Sequence, residues 1–442
     1  MTCEADLWRQ ATRHRLALRD VVAVAVTGSC GKTTTTDLVA GVLSSRYRGS
    51  RSDGTWNCGL GVVNSLLAVR PGDDFFVQEL GAWGPGTLDS GIELVRPDVA
   101  VVTNLRNDHY SSFHGPGGAQ AEKGKLVAAL APGGTAVLNC DDPLVQELAA
   151  RTPARVLSFG RSLHADLRAW DVSARWPERL TFSAGFGGQS RRVLTRLPGE
   201  HLLGSALAAL AVGLVFGLTL DEAASALERA EPSPRRMSPV TLPDGVTFIR
   251  DDYKAPADSI PEVLAFMAEA NAGRKVGVLG RISDFPGRSR RCYTRIAEEA
   301  TAVLDLVVFA GRRAAELWGE CRSMVAADQL ALRTRVSCAA AAVDQQTPRD
   351  RVSLVLPGSV PNPRASARAA GRMLVFERVR EASDFLAGFL RPGDLVLLKG
   401  SGQADHLERV LLSRQGAVNC WLASCGRKEP CDACSMLKVP AA

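Results

Sequence analysis

Residues 27–35 combine side chains and backbone types suited to binding nucleotide phosphates. They read Thr-Gly-Ser-Cys-Gly-Lys-Thr-Thr-Thr and lie between the apolar run Asp20–Val26 and a helix-like segment, Asp37–Ser45. A glycine-rich loop between a strand and a helix directs backbone N–H groups at phosphate oxygens, and the helix adds its positive N-terminal end. The residues expected to bind phosphate are Thr27, Gly28, Ser29, Cys30, Gly31, Lys32, Thr33 and Thr34.

Within this loop the residue types have separate tasks. Gly28 and Gly31 let the backbone bend, Lys32 supplies a mobile cation, and Thr33 supplies a hydroxyl for Mg²⁺. The usual pattern has another glycine at the position that Val26 occupies here, so the loop is a variant. An ordinary strand-to-helix turn is the alternative interpretation.

Two candidate metal ligands follow further apolar runs. Glu79 ends the run Phe75–Leu80, and His109 follows the run Val99–Val102. Because catalytic residues of parallel sheets collect at the carboxyl ends of strands, we expect both side chains near the phosphate loop. Taken singly, Glu79 also fits a solvated turn and His109 a structural histidine.

Polar residues at neighbouring positions extend this set. Asn104 ends the segment 99–105, and Lys123 lies at a predicted helix start, where a lysine is usually a surface charge. Asn139 and Asp142 follow the apolar run Ala136–Leu138 and are candidates to contact a base or ribose.

Composition narrows the classes of protein. The 442 residues are 46% apolar and 23% charged, and the formal net charge of +6 is too small and dispersed to indicate a nucleic-acid partner. The sequence has no 18-residue apolar run, and its first ten residues lack the order of a secretory signal, so we expect no membrane partner. Scattered single cysteines indicate reduced thiols and a cytoplasmic protein: Cys3, Cys30, Cys58, Cys140, Cys292, Cys321 and Cys338.

Alternation of strand-like and helix-like segments predicts an α/β fold in two parts. A first series runs from Asp20 to about Gly217, and the turn-rich segment 231–236 interrupts it. We therefore predict a short N-terminal extension at 1–19, a P-loop central ATPase domain with a mostly parallel sheet at 20–233, a Rossmann-like C-terminal domain at 234–415 and a Cys-rich tail at 416–442.

The second series predicts a smaller doubly wound sheet. Its predicted strands are Val246–Arg250, Lys275–Gly280, Leu304–Ala310, Val352–Leu356 and Asp394–Lys399. Its predicted helices include Ile260–Ala270 and Ala365–Val375.

Eight segments, taken in chain order, resemble the Mur ligase family, most closely the branch that adds the D-Ala-D-Ala dipeptide in peptidoglycan precursor synthesis. They span about residues 20–412, and their order is far more specific than any one of them. The segments are 27–35, 55–57, 79–82, 103–109, 121–124, 139–142, 197–201 and 397–401.

The resemblance implies an ATP-dependent ligase that forms an amide bond through an acyl phosphate. A small-molecule carboxylate attacks the γ-phosphate of ATP, and an amine then displaces phosphate. In the family, residues matching Thr33 and Glu79 serve one Mg²⁺, while His109 and a carbamylated lysine serve a second. Alignment assigns that lysine as Lys123, with Lys125 as the competing assignment.

Other residues acquire roles only through this resemblance. It implies nucleotide contacts for Asn104, Asn139, Asp142, His201 and Arg236, with a hinge-surface charge as the alternative for Arg236. Asp251 is expected to be the catalytic acid of the second domain, although Asp252 is an alternative match.

Several features depart from the family. Leu202 and Ser205 stand where asparagines are usual, and only about 26 residues precede Thr27, which we interpret as too few for the separate domain that holds the UDP end of the substrate. The acid and the amine therefore stay open. An arginine cluster, either a carboxylate-binding group or a solvated loop, is formed by Arg281, Arg288, Arg290 and Arg291. A P-loop kinase or NTPase without ligation, and a non-catalytic binding protein with the ligase fold, are the competing functions.

The last 23 residues are rich in cysteine. A zinc knuckle is one interpretation, a redox or disulfide role is another, and a disordered tail is the third. The candidate zinc ligands are Cys420, Cys425, Cys431 and Cys434.

Overall fold

The computed structural model describes residues 3–54, 56–318, 372–423, 425, 427 and 429–438. The chain divides into two compact units. One comprises Met1–Ser233 with Asp284–Pro286, and the other comprises Pro234–Ser283 with Gly287–Ala442.

The first unit is built around a sheet whose described strands follow the order β2-β3-β1-β4-β5-β6-β7-β8-β9. In this order, every neighbouring pair from β2 through β1 to β7 is parallel. The pairs β7–β8 and β8–β9, at one edge of the sheet, are antiparallel. The strands are β1 Val22–Thr27, β2 Gly49–Arg51, β3 Phe75–Glu79, β4 Val99–Val102, β5 Thr135–Asn139, β6 Arg155–Gly160, β7 Leu167–Ser173, β8 Thr181–Phe186 and β9 Gln189–Leu194.

Helices cover this sheet because its central strands are apolar and buried. The α-helices are α1 Glu4–Ala17, α2 Lys32–Leu43, α3 Leu60–Leu67, α4 Asp89–Val95, α5 Tyr110–Phe113, α6 Pro116–Ala128, α7 Pro143–Gln146, α8 Leu203–Val215 and α9 Leu220–Leu227. Short 3₁₀ helices span Glu147–Arg151 and Glu200–Leu202. Helices α2, α8 and α9 pack together, while α1, α3, α4 and α6 contribute to a second hydrophobic core.

The second unit has a sheet in the order β10-β11-β15-β12-β13-β14, with β10 antiparallel and the other described strands parallel. Its strands are β10 Ser238–Thr241, β11 Thr247–Asp251, β12 Arg274–Leu279, β13 Leu306–Ala310, β14 Arg372–Phe376 and β15 Asp394–Lys399. Its helices are the 3₁₀ helix Ala257–Ser259 and α10 Ile260–Glu269, α11 Ser289–Val303, α12 Arg312–Leu317, α13 Val379–Phe389, α14 Glu408–Gln415 and α15 Ser435–Lys438.

The predicted α/β class is confirmed, with two local corrections. Helix α2 begins at Lys32, five residues before the predicted Asp37, because tertiary contacts outweigh the low helix propensity of four consecutive threonines. Residues 372–375 form part of β14, so the predicted helix Ala365–Val375 is wrong there. Residues 365–371 and the predicted strand Val352–Leu356 lie outside the described residues.

None of the helices within the described ranges combines the length and the apolar character that crossing a bilayer requires.

Candidate functional site

The phosphate loop connects β1 to α2 and depends on glycine at two positions. Gly28 has φ 143°, and a Cβ added there would lie 2.0 Å from Oγ1 of Thr103. Gly31 has φ 79° and directly precedes the first residue of α2. Both conformations favour glycine, so the backbone of this loop requires the residues that the sequence supplies.

Asn104 fixes the loop from the end of the neighbouring strand β4. Its Oδ1 accepts a hydrogen bond from the N–H of Cys30 at 2.9 Å, and its Nδ2 donates to the Cys30 carbonyl at 3.2 Å. Its own carbonyl accepts from the N–H of Ser29 at 2.8 Å. The geometry therefore gives Asn104 the task of positioning the loop, alongside the nucleotide contact expected from the sequence.

Lys32 folds back over the loop that precedes it. Its Nζ donates to the carbonyls of Gly28 at 2.8 Å and Ser29 at 3.2 Å. Thr34, in the same first turn of α2, has a buried side chain. Since the first N–H groups of an α-helix have no acceptor within it, this turn presents donors and a cation to an anion.

Glu79 and Thr33 are joined at the adjoining strand end. The Thr33 hydroxyl donates to Oε2 of Glu79 at 2.7 Å, and Nδ2 of Asn57 donates to Oε1 at 2.7 Å. Glu79 is only 1% exposed, and its backbone N–H donates to Oγ of Ser52. Thr27 supports the same edge by donating its hydroxyl to the Leu80 carbonyl at 2.8 Å. The structure thus brings together the carboxylate and hydroxyl expected to serve one Mg²⁺.

Asp108 links the two residues expected to serve a second Mg²⁺. Its Oδ2 accepts from Nζ of Lys123 at 2.7 Å, and its Oδ1 lies 3.6 Å from Nε2 of His109. Nζ of Lys123 also lies 3.3 Å from Oγ of Ser29 in the phosphate loop. Lys123 and His109 therefore share one carboxylate beside the loop.

Burial changes the ionisation of this pair. The Lys123 side chain is fully buried, and desolvation lowers its pKa although Asp108 opposes the shift. Burial by itself would raise the pKa of Asp108, but Lys32 and Lys123 outweigh it, and the pKa of Asp108 is lowered. The site therefore favours an ionised carboxylate and makes a neutral amine more accessible at Lys123 than at an exposed lysine.

Lys125 occupies a different environment from Lys123. Its side chain is 41% exposed, and its Nζ contacts Asp89 and Glu122 at 2.9 Å. Hydrogen bonds to these two carboxylates raise the pKa of Lys125. Of the two lysines, Lys123 is thus the one whose described contacts include the phosphate loop.

Asn139 and Asp142 are engaged mainly by backbone groups. Nδ2 of Asn139 donates to the Thr103 carbonyl at 2.9 Å. Oδ1 of Asp142 caps α7, and its Oδ2 accepts from the N–H of Leu105 at 2.7 Å. These contacts brace the segment after β4, which carries Asn104.

His201 lies in the segment that leads into α8, and Ser205 lies in the first turn of α8. His201 is part of a 3₁₀ helix, and its ring packs where a Cβ on Gly199 would stand. The hydroxyls of Ser205 and Thr35 are 2.9 Å apart, and a Cβ on Gly31 would lie 3.1 Å from Oγ of Ser205. Ser205, a departure from the family pattern, therefore packs against the phosphate loop and the first turns of α2.

In the second unit, Asp251 and Asp252 differ in their ion-pair partners and in their burial. Oδ2 of Asp251 accepts from Nζ of Lys399 at 2.5 Å, where β11 and β15 end side by side. Asp252 is buried between Arg235 and Arg250, and desolvation raises its pKa.

Arg236, in the same unit, has its guanidinium 4.1 Å from the centre of the Tyr253 ring. This is a cation–π contact. The four arginines of the cluster after β12, Arg281, Arg288, Arg290 and Arg291, are all exposed.

Two family models match the sequence. One, described as "Mur ligase middle domain", covers residues 26–213, and the other, "Mur ligase, glutamate ligase domain", covers residues 235–357. The UDP-N-acetylmuramoyl-tripeptide--D-alanyl-D-alanine ligase of Mycobacterium tuberculosis strain H37Rv is 30% identical over 398 residues, which are 89% of this chain and 73% of that protein. The chain belongs to the Mur ligase family.

Other members show the same similarity. The Mur ligase of the same name from Escherichia coli K12 is 29% identical over 293 residues, 66% of this chain and 64% of the relative. Crystal structure I of MurF from Acinetobacter baumannii has a TM-score of 0.74 at 22% identity and covers 93% of this chain and 80% of that one. MurF of Thermotoga maritima in complex with ADP has a TM-score of 0.72 at 22% identity, covering 92% and 82%. These structural likenesses establish a shared fold.

The Mur ligase resemblance inferred from the sequence is thereby confirmed. The middle-domain model includes the phosphate loop, Glu79, His109 and Lys123, whereas Asp251 falls within the second model. Lys399, the partner of Asp251, lies beyond the residues that the second model matches.

Sequence reasoning did not assign roles to two residues of this candidate site. Asp108 is the shared partner of Lys123 and His109, and Asn57 is a partner of Glu79. Both stand inside motifs that indicated the family, so the signal was present. What the motifs lacked was the pairing, because residues 15 to 22 positions apart meet only through the fold.

Proposed function

We propose that this Mur ligase joins a small-molecule carboxylate to the amine of an amino acid or peptide, with conversion of ATP to ADP and phosphate. The observation that carries the proposal is the conjunction of Lys32 on the phosphate loop, the Thr33–Glu79 pair, and the buried Asp108–Lys123 pair. A phosphate loop alone fits many nucleotide enzymes, whereas this combination suits transfer of a phosphoryl group to a carboxylate.

The chemistry proceeds in two displacements. A carboxylate oxygen of the acid attacks the γ-phosphorus of ATP, the bond to the β-phosphate oxygen breaks, and ADP leaves. The amine then attacks the acyl carbon, a tetrahedral intermediate forms, and inorganic phosphate departs as the amine loses a proton. Lys32 and the N–H groups of the loop stabilise negative charge on the phosphate oxygens in the first step.

The oxygen ligands present suit Mg²⁺, which prefers carboxylates and hydroxyls. Thr33 and Glu79 would hold one ion, and His109 with a carbamylated Lys123 would hold a second. Mg²⁺ held by these residues would supply positive charge that offsets the negative charge of the phosphates.

Carbamylation of Lys123 is supported by its surroundings. The neutral amine attacks the carbon of CO₂, an N–C bond forms and one proton leaves, so that a cation becomes an anionic oxygen ligand. The lowered pKa of the buried ammonium makes the neutral amine more accessible, and Asp108 lies 2.7 Å away to orient the nitrogen. The exposed, doubly paired Lys125 lacks this lowering.

We further propose that residues 234–415 form the domain that positions the amine, with Asp251 and Lys399 at its strand ends. Relatives are named for adding D-alanyl-D-alanine to a UDP-N-acetylmuramoyl-tripeptide, so peptides of that kind belong in the first substrate panel.

The test incubates the protein with ATP, Mg²⁺ and bicarbonate against panels of carboxylates and amines, and identifies products by mass. Ligation predicts ADP release that requires one carboxylate and one amine together, with a product lighter by one water than their sum. Steady ADP release without an amine would identify an NTPase or kinase instead. Undetectable ATP binding in titrations would identify a non-catalytic member of the fold.

A further inference from the structure

The loop after β15 and the C-terminal segment bring a histidine and two thiols together. Nδ1 of His406 lies 3.5 Å from Sγ of Cys431, and Nε2 lies 3.6 Å from Sγ of Cys425. His406 and Cys431 are buried. In a tetrahedral zinc site, nitrogen and sulfur ligands bound at about 2.0 and 2.3 Å lie about 3.6 Å apart. Each separation alone matches that of two neighbouring zinc ligands, although the two thiols approach different nitrogens of the same ring. Around His406, the described ligand atoms that all lie within 4.8 Å of one another are those of His406, Glu408 and Cys431.

Neighbouring charged groups position the thiols. Nε of Arg409 lies 3.3 Å from Sγ of Cys431, and its Nη2 lies 3.7 Å from Sγ of Cys420. Glu408 accepts from the Cys431 N–H at 2.6 Å with one oxygen and from Arg250 at 2.8 Å with the other. Glu408 is thus engaged by protein donors, and Arg409 would offset the negative charge of thiolate ligands.

The C-terminal segment has buried cysteines but little regular secondary structure, as is typical of segments stabilised by a bound metal. Its described residues between α14 and α15 form no helix or strand, yet Cys431 and Cys434 are buried. The Cys434 N–H donates to the Cys431 carbonyl at 3.2 Å, which closes a tight turn between the two thiols. A short segment without a core of its own gains stability when a metal ties it to the domain.

We propose a structural zinc site held by His406, Cys425, Cys431 and Cys434. A single ion takes one nitrogen of His406, and Nδ1 is the one beside Cys431. Cys425, which lies beside Nε2, would have to shift to join the other ligands. This set replaces Cys420 of the sequence prediction with His406, because His406 lies within 3.6 Å of the thiols of Cys425 and Cys431. The site is distinct from the ligase chemistry and would fasten the C-terminal segment to the loop that follows Lys399.

The first test measures metal content in the full chain purified under reducing conditions. We expect about one zinc ion per chain, lost in Cys431→Ser and His406→Gln and retained in Cys420→Ser and the exposed-cysteine control Cys3→Ser. Less than a tenth of an ion per chain, both as purified and after added Zn²⁺, would overturn the proposal. Retention of zinc in Cys431→Ser, or loss of zinc only in Cys420→Ser, would overturn the ligand set.

A second measurement avoids variants that fail to fold. Wild-type chain stripped of metal with a chelator and titrated with Co²⁺ should gain a thiolate charge-transfer band and the visible bands of tetrahedral cobalt, with saturation at one ion. A spectrum without thiolate bands would contradict the site. So would intact-mass and peptide mapping that place the tail cysteines in a disulfide in freshly purified protein.

Discussion

At the residue scale, the unusual feature is a lysine with no solvent exposure beside a phosphate-binding loop. Lys123 keeps one strong charge partner, Asp108, at 2.7 Å, and also faces the Phe113 ring at 5.5 Å. A buried lysine is costly unless it is paired or neutral, and both conditions can be met here. The same environment that lowers its pKa suits it to become a carbamate.

Substitution of Lys123 tests the proposed carbamate directly. Lys123→Ala should lower ADP release by at least about 100-fold, as expected when a metal-site group is removed. Short carboxylic acids added in solution should restore part of the activity, because they supply the missing oxygen ligand. The matched control is Lys125→Ala, which removes an exposed ammonium two residues away and should stay within about twofold of wild type. Full activity in Lys123→Ala without rescue would remove this role.

The substitution Asp108→Asn tests how much free energy the burial of the Lys123 ammonium costs. The measurement is the free energy of unfolding by chemical denaturation in CO₂-free buffer with EDTA. At pH 7 we expect a loss of about 3 kcal/mol in the free energy of unfolding, because the ammonium loses its buried partner.

The loss should shrink as pH rises toward 10.5. The pKa of Lys123 is lowered in the folded state, so the unfolded chain holds that proton to higher pH and folding becomes easier as the pH rises. The lowered pKa of Asp108 acts in the same direction in wild type, but in a lower pH range. Its lowered pKa gives stability that is present above 3.8 and lost as pH falls through the folded-state value. A loss that is equal at pH 7 and pH 9.5 would contradict this account.

Motif reading gave the candidate residues of the site, which stay predictions, but not their pairings. Glu79, His109 and Lys123 followed from their places in ordered motifs, whereas the role of Asp108 required the fold. The contacts of Asn139 and Asp142 with backbone groups could not be predicted from the sequence either. A polar side chain after a strand fits a ligand contact and a turn equally well.

At the element scale, the phosphate loop is held by its neighbours as much as by its own residues. Thr103 and Asn104, after β4, contact Cys30, and Ser205 of α8 contacts Thr35 of α2. These contacts support one conformation of the loop, and a loop held by protein groups loses less entropy when it binds phosphate.

Two glycine substitutions separate loop shape from general stability. Gly28→Ala should cost about 2–4 kcal/mol and abolish ATP binding, because its Cβ would meet Oγ1 of Thr103 and the residue has φ 143°. Gly41→Ala, in α2 with nothing within 4 Å of the added Cβ, should be neutral or gain about 0.5–1 kcal/mol. Thermal denaturation and ATP titration of both variants provide the comparison. Normal ATP affinity in Gly28→Ala would show that the loop tolerates another shape.

The apolar runs in the sequence predicted the central strands of the first sheet, but they did not predict the polar strand β9 at its edge. β1, β3, β4 and β5 are buried in a parallel sheet and read as continuous apolar stretches. β9, Gln189–Leu194, is largely exposed and carries arginines, so apolar content gave no signal for it. The start of α2 at Lys32 was not predicted, because the four threonines that follow have low intrinsic helix propensity.

At the scale of the whole molecule, the residues named in the proposed function are divided between the two units of the chain. The first unit holds the phosphate loop and its metal-binding candidates, and the second holds Asp251, Lys399 and the cysteine-rich segment. Alternating strands and helices in the sequence predicted this class of architecture. The identity of the acid and amine is harder to predict, because it depends on groups, such as the exposed arginines after β12, whose pattern fits several carboxylates.

The central claim is that a carboxylate oxygen takes the terminal phosphoryl group of ATP. The most direct measurement supplies the carboxylate substrate identified by the panel with both oxygens labelled as ¹⁸O, together with ATP, Mg²⁺ and the amine, and analyses the released phosphate by mass. We predict one ¹⁸O in each phosphate, because the acyl phosphate passes that oxygen to phosphorus before the amine displaces it. Phosphate without ¹⁸O, formed at the same rate as the amide, would contradict the account.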